Sequence, residues 1–469
     1  MEWLEELDRD LSVLREAEAR LYHQADLGGR LDAERLKDIA RRRRELLSRP
    51  EIAAKADALS AESSDPVARR KAELLRLEVM MTGIEDAPEL LAIRHELEQA
   101  QQDFSDRMKT REGMRCYLKA TERAARARIV IANRAARRQG LRSYAEAKLT
   151  WQELSVAGLL KTLAHVRRTC RQDFRNAVDG CDAAGLSPAE LDRAVAESLA
   201  YLEEAFPREG LGDAAGRTLA PCGESLEALP IRAEVGAVPC PGAVHALKIG
   251  RDIRLVMRPT KGGLANYAAF FHELGHALYY VHAPDSVLLL DSRIGREGLA
   301  ELWAGLMERR EWLRRFSCLK DDQITELLAR RRRFHAFRAM TFVREALFEL
   351  ELYRNPQADF LDTWNGVTRE CLGVANREEV YSEFVFLYPL DIKDYVYAHL
   401  IRESVIGELE SRWGHDLLSP EVFEFIVAQY YRTGNLRPWH RRFAGFDAGG
   451  AFSGRFRGSP SPRGCPGRR

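Results

Sequence analysis

Two histidines four residues apart with a glutamate between them, His272, Glu273 and His276, constrain this chain more than any other part of its sequence. Residues four apart on an α-helix stand one above the other, so both imidazoles can aim at one tetrahedral ion. Glu273 then stands beside the ion, where a carboxylate can take a proton from a water whose pKa the metal has lowered. Chance is a weak competitor. With 11 histidines in 469 residues, on the order of 0.03 such five-residue matches arise at random. Two imidazoles and a carboxylate favour zinc on ligand type, so one Zn2+ per chain is the cofactor expected.

The flanking residues predict the helix that the motif needs. Asn266, just after Gly262 and Gly263, can cap its start, and Pro284 stops it after Val281 and His282. Phe270, Leu274 and Leu278 give it an apolar stripe at helical spacing. A site of this kind takes a third protein ligand and keeps its fourth position for water. Glu297 and Glu301 offer two candidates, four apart and so on one helix face. One could bind while the other buttresses a histidine.

The stretch from Arg296 to Ala304 resembles the third-ligand helix of the gluzincin peptidases, where small residues occupy the first and third positions after the ligand glutamate. Glu297, followed by Gly298 and then Ala300, fits that pattern. The resemblance therefore implies Glu297 as the ligand and Glu301 as a supporting partner. By motif and order rather than close identity, most of the chain resembles the thimet oligopeptidase and oligoendopeptidase F family. Asp252 to Met257, with Pro259 and Gly262-Gly263 after it, looks like the strand and loop that lead those enzymes into their metal helix. Ile253, Leu255 and Met257 alternate, and Gly250-Arg251 turns back to the apolar run from Val244 to Ile249, which reads as a hairpin. In the family such a sheet borders the cleft and pairs with the substrate backbone.

Tyr388 to Tyr397 resembles the tyrosine-rich segment with which this family steadies the oxyanion of the tetrahedral intermediate. A phenol suits that task because it donates a hydrogen bond without carrying a competing charge. Tyr395 is the first choice and Tyr388 the second. The histidine that the family tends to place upstream of these tyrosines has no counterpart between His335 and His399. Arg128 to Arg134, continuing to Gly140 and Tyr144, resembles the amino-terminal helices that form the wall opposite the metal.

Composition agrees with an enzyme of this kind. With 45% hydrophobic residues the chain can build a large core, and 72 basic against 71 acidic residues argue against a dedicated nucleic-acid binder. The arginine runs Arg41 to Arg44 and Arg330 to Arg333 read as solvated helix faces. No stretch approaches 18 uncharged apolar residues, and the acidic start Met1 to Glu6 lacks the marks of a secretory signal. Eight scattered cysteines without a C-x-x-C pair fit reduced thiols. The expectation is a cytoplasmic protein with no membrane partner.

The fold class expected is mainly α, a large helical peptidase fold with a deep central cleft and a small sheet beside the metal helix. Residues 1–205, with four of the 18 prolines, read as an amino-terminal helical half whose helices include one capped at Ser187-Pro188. Residues 206–447 read as the catalytic half, and 448–469, rich in Gly, Pro, Ser and Arg, as a disordered tail. The reading is a zinc-dependent peptidase acting on short oligopeptides, with Glu273 as base. Its alternatives are a zinc carboxypeptidase of related helical fold and a helical metal-binding scaffold without turnover.

Overall fold

The structure, a computed structural model, describes residues 2–104, 107–179, 204–259, 263–373, 379–382 and 388–454. Through residue 179 every described element is helical. After α1 (Glu2–Asp26) come Ala33–Leu47, Pro50–Glu62, Pro66–Glu85, Pro88–Phe104, Arg111–Arg138, Tyr144–Trp151 and Val156–Asp179. Short polar residues set their starts. Asp32 accepts from the Arg35 N–H, Asp65 from that of Val67 with Pro66 at the first helical position, and Ser143 from that of Glu146. The helix expected after Ser187 lies outside the described residues.

The largest apolar core crosses the expected boundary near residue 205. Leu159, Leu163, Val166 and Phe174 of helix Val156–Asp179 share it with Phe337 and Val343 of the long helix Asp321–Arg354, and with Phe270, Leu274 and Leu278 of helix Gly263–His282. Each such side chain, fully buried, contributes roughly 1.5–3 kcal/mol. A second cluster joins Ile129 and Tyr144 to Phe348 and Trp364. A third seats Leu4, Leu7 and Leu11 of α1 against Leu47, Leu75 and Leu288.

Three strands, β1 (Ile231–Val235), β2 (Ala243–Lys248) and β3 (Asp252–Met257), form one sheet in the order β1-β3-β2. The β2–β3 hairpin is antiparallel, as its alternation predicted. β1 adds a parallel strand on the far side of β3, and nothing in its short, polar sequence announced it. Ile253, Leu255 and Met257 point into the core. Gly250, at φ +68°, makes the tight turn, and its N–H donates to the Tyr280 carbonyl at 3.0 Å, which docks the hairpin tip on helix Gly263–His282. β2 is an edge strand, and α1 lies along it: Asp26 Oδ2 is 2.8 Å from His245 Nε2, and Arg15 Nη1 is 3.5 Å from the Ala246 carbonyl.

Three local expectations are corrected. The disordered tail does not begin at Ala448, because Ala451 and Phe452 are buried and the Phe452 N–H donates to Thr162 Oγ1 at 3.0 Å; residues 455–469 lie outside the described ones. Arg331 is not on a solvated face but buried against Glu308. Arg43 likewise turns inward to Asp86, at 3.0 Å, while Arg41 and Arg42 remain exposed. No described helix is long and apolar enough to cross a membrane.

Candidate metal centre

The motif helix runs Gly263–His282 and ends before Pro284 as expected. It begins at Gly263, three residues before the expected cap. Asn266 is a buried residue of the first turn rather than the cap. Phe270, Phe271, Leu274 and Leu278 anchor one side in the core, which leaves His272, Glu273 and His276 partly exposed on the other.

Helix Arg293–Met307, capped by Ser292, lies against it at backbone contact. A Cβ on Gly275 would meet the Ala300 Cα at 2.7 Å. One on Gly298 would meet the Ile401 side chain of helix Ile392–Trp413 at 2.5 Å. The small residues after Glu297 thus let three helices converge on one point.

At that point Glu297 Oε2 lies 3.3 Å from His272 Nε2 and 3.6 Å from His276 Nε2. It is buried and accepts no hydrogen bond among the described residues, although both imidazoles lie close to it. One ligand atom from each of the three residues lies within 4.8 Å of the others. Donors about 2.0–2.1 Å from a tetrahedral ion stand roughly 3.3 Å apart, so the spacing and the orphaned oxygen both fit a bound cation. Glu297 Oε1 is tied separately, 3.4 Å from Arg293 Nε.

Glu301, one turn further along, faces the opposite ring nitrogen: its Oε1 is 3.3 Å from His272 Nδ1. Its Oε2 lies 3.6 Å from both His399 Nδ1 and Arg402 Nη1. Such a carboxylate fixes the tautomer and ring plane of a ligating imidazole. The charges are mutually adapted. Burial alone would lower the His272 pKa, but the contacts with Glu297 and Glu301 raise it well above the ordinary histidine value. Burial would raise Glu297, and the adjacent His276 and His272 instead hold it well below the carboxylate range. Glu273 shifts the other way, raised by burial against the pull of His272 and His276. It is backed by Gly242 at the start of β2, where a Cβ would come within 2.8 Å of Glu273 Oε1.

Of the two tyrosines, Tyr395 is the one near this group. Its hydroxyl is 3.5 Å from Arg293 Nη2, and its ring stacks on Phe342 with centroids 5.4 Å apart. Burial, and then the charge of Glu297, push its pKa up to about 12, so it stays a proton donor. Tyr388 is 49% exposed, with Glu98, Arg293 and Asp26 as charged neighbours. Sequence reasoning missed Arg293, Arg402 and His399. His399 lies one turn after Tyr395, stacks on Phe342 and faces Glu301, and burial drives its pKa down to about 3. Only its helical spacing from Tyr395 could have signalled it.

No protein-family model and no curated protein matches the chain. Solved structures do. An M32 carboxypeptidase from Deinococcus radiodurans R1 is 15% identical with a TM-score of 0.69, and 96% of each chain is covered. A carboxypeptidase from Pyrococcus furiosus, also 15% identical, covers the same share of both chains with a TM-score of 0.62. The chain has the fold of these helical carboxypeptidases along nearly its whole length. That architecture is the one named by the first alternative of the sequence reading.

Proposed function

We propose that this chain is a zinc-dependent peptidase that removes residues from the carboxyl end of peptides. The observation that carries the hydrolytic reading is the orphaned Glu297 oxygen between two imidazole nitrogens, with the carboxylate of Glu273 beside them. Support for the carboxypeptidase mode comes from the fold, shared end to end with two carboxypeptidases.

His272, His276 and Glu297 would hold the ion. When bound, a divalent ion supplies an acidified water and polarises the scissile carbonyl. Glu273 takes the proton of the attacking water and passes it to the leaving amine; its raised pKa suits both halves of that task at neutral pH. Tyr395 donates a hydrogen bond to the oxygen on which negative charge develops. Glu301 holds the Nδ1–H of His272, which keeps the Nε2 lone pair aimed inward, and Arg293 fixes the second oxygen of Glu297.

An oligoendopeptidase is the second reading, favoured by the segment from Tyr388 to Tyr397 and the order of the motifs. One experiment separates the readings. The zinc-loaded protein and its Glu273→Gln variant are incubated with peptides of about 5 to 20 residues, and products are mapped by mass spectrometry. Single residues lost from the carboxyl end, and lost no longer in a variant that still binds metal, are the expected result. Internal cuts would establish the endopeptidase, and metal binding without any cut would establish the scaffold.

A further inference from the structure

Arg293 divides its guanidinium among three partners. Nε lies 3.4 Å from Glu297 Oε1, Nη2 lies 3.5 Å from the Tyr395 hydroxyl, and Nη1 pairs with Asp391 Oδ2. Asp391 stands at the cap position of helix Ile392–Trp413, where an aspartate ordinarily accepts an N–H of the first turn. It makes no such bond. Its carboxylate turns instead to Arg293 with one oxygen and to Lys148 Nζ, at 3.3 Å, with the other. Burial works to raise its pKa, but Lys148 and Arg293 hold it below the ordinary aspartate value, so the group facing Arg293 is an anion. Asp394, fully buried three residues on, backs this junction. Its Oδ1 takes Lys393 Nζ at 2.7 Å, and its Oδ2 accepts from Gln152 Nε2 at 3.1 Å and lies 3.8 Å from Arg293 Nε. The backbone is strained on both sides of the junction. Among the described residues, Glu153 and Leu390 are the two that adopt positive φ without being glycine, at +57° and +61°. The first follows Gln152 and the second precedes Asp391. Such conformations cost about 1–3 kcal/mol each and persist where the surrounding structure imposes them.

We infer that Asp391 is a positioning residue of the metal centre and acts through Arg293. A guanidinium is planar and rigid, so holding one edge sets the direction of its other N–H groups. With Nη1 held by Asp391, Arg293 offers Glu297 a single long contact at Oε1 and leaves Oε2 for the ion. Without that anchor the guanidinium keeps its charge and loses its nearest anion. Asp394 does not replace it, because its oxygens already serve Lys393 and Gln152. Arg293 then closes on Glu297 with two parallel bonds, the favoured geometry of an arginine and a carboxylate, and competes with the ion for its ligand. The same movement takes it away from the Tyr395 hydroxyl. The inference rests on the metal-dependent peptidase reading and adds a residue to it.

The test is a double-mutant cycle on the full chain, with zinc affinity read by competition with a chromogenic chelator. Asp391→Asn, which keeps the shape and removes the charge, should weaken zinc about tenfold or more in the parent. In an Arg293→Gln background the same substitution should change affinity by less than about twofold, because the group it restrains is gone. A role in folding alone predicts an equal loss in both backgrounds. That result, or an Asp391→Asn variant within about twofold of the parent, overturns the inference. The predicted pattern in a protein that shortens no peptide sustains the positioning role and ends the peptidase reading, whereas a parent that binds no zinc ends both. Should Asp391→Asn not fold, Asp391→Glu takes its place in the cycle. It keeps the charge but moves it by one methylene, and it should weaken zinc in the parent and not in the Arg293→Gln background.

Discussion

Replacing Gly275 by alanine adds one methyl group at the tightest point between the two helices that carry the metal group. The new Cβ would sit 2.7 Å from the Ala300 Cα and 2.9 Å from its carbonyl oxygen, with Trp303 Cδ1 at 3.1 Å. The first two are backbone atoms and cannot swing aside. Restoring an ordinary carbon contact of about 3.5 Å requires the helices to part by roughly 0.8 Å. Overpacking of this kind costs about 1–3 kcal/mol. The same displacement draws Glu297 away from His272 and His276, which now stand at 3.3 and 3.6 Å from it. Misplacement near 1 Å costs on the order of 100-fold in rate. Metal affinity, measured by competition with a chromogenic chelator, should weaken at least about tenfold, and kcat/KM should fall by about two orders of magnitude. Gly216→Ala is the control, since a Cβ there meets nothing within 4 Å, and it should be neutral or stabilise the helix by up to about 1 kcal/mol. Gly275→Ala with metal affinity and rate within twofold of the parent would refute the claim that helix spacing sets the centre.

Three other outcomes follow from the geometry. Glu301→Gln keeps an acceptor near His272 Nδ1 but loses its charge, so metal affinity should fall about 10- to 100-fold, read by the same chelator competition. Tyr395→Phe should lower kcat about 100- to 1000-fold with metal content unchanged; a drop confined to KM would assign the hydroxyl to substrate binding instead. Glu349 is 1% exposed, and burial, then Asp391 and Glu345, raise its pKa well above the ordinary carboxylate value. The unfolded chain therefore releases this proton first, and stability is lost as pH climbs above about 4.3 toward the folded pKa. Glu349→Gln should raise the melting temperature at pH 7 and lose that advantage near pH 4, and equal gains at both values would exclude the linkage.

The motif helix was legible because its information is local: spacing puts two imidazoles on one face, and proline ends the helix. The same holds for the β2–β3 hairpin, whose alternation is written in six residues. The spacing of Glu297 and Glu301 showed only that both share a face; their division of labour depends on which nitrogen of His272 each one meets, and that follows from how three helices pack. His399, Arg402 and Arg293 escaped notice for a related reason. Each acts on Glu301 or Glu297 by a side chain whose direction is set by tertiary packing. Arg331 misled because its run is rich in charge, whereas the Glu308 that receives it lies 23 positions earlier. β1 was missed because a parallel pairing with β3 leaves no turn signal between neighbours.

The most direct measurement is a zinc titration of the metal-free protein, with release of carboxyl-terminal residues followed by mass spectrometry. Activity rising linearly to one zinc per chain and then levelling, and lost when His276→Ala removes a ligand, is the result predicted. Peptide hydrolysis that survives complete chelation, or zinc that binds stoichiometrically while no peptide is shortened, would contradict it.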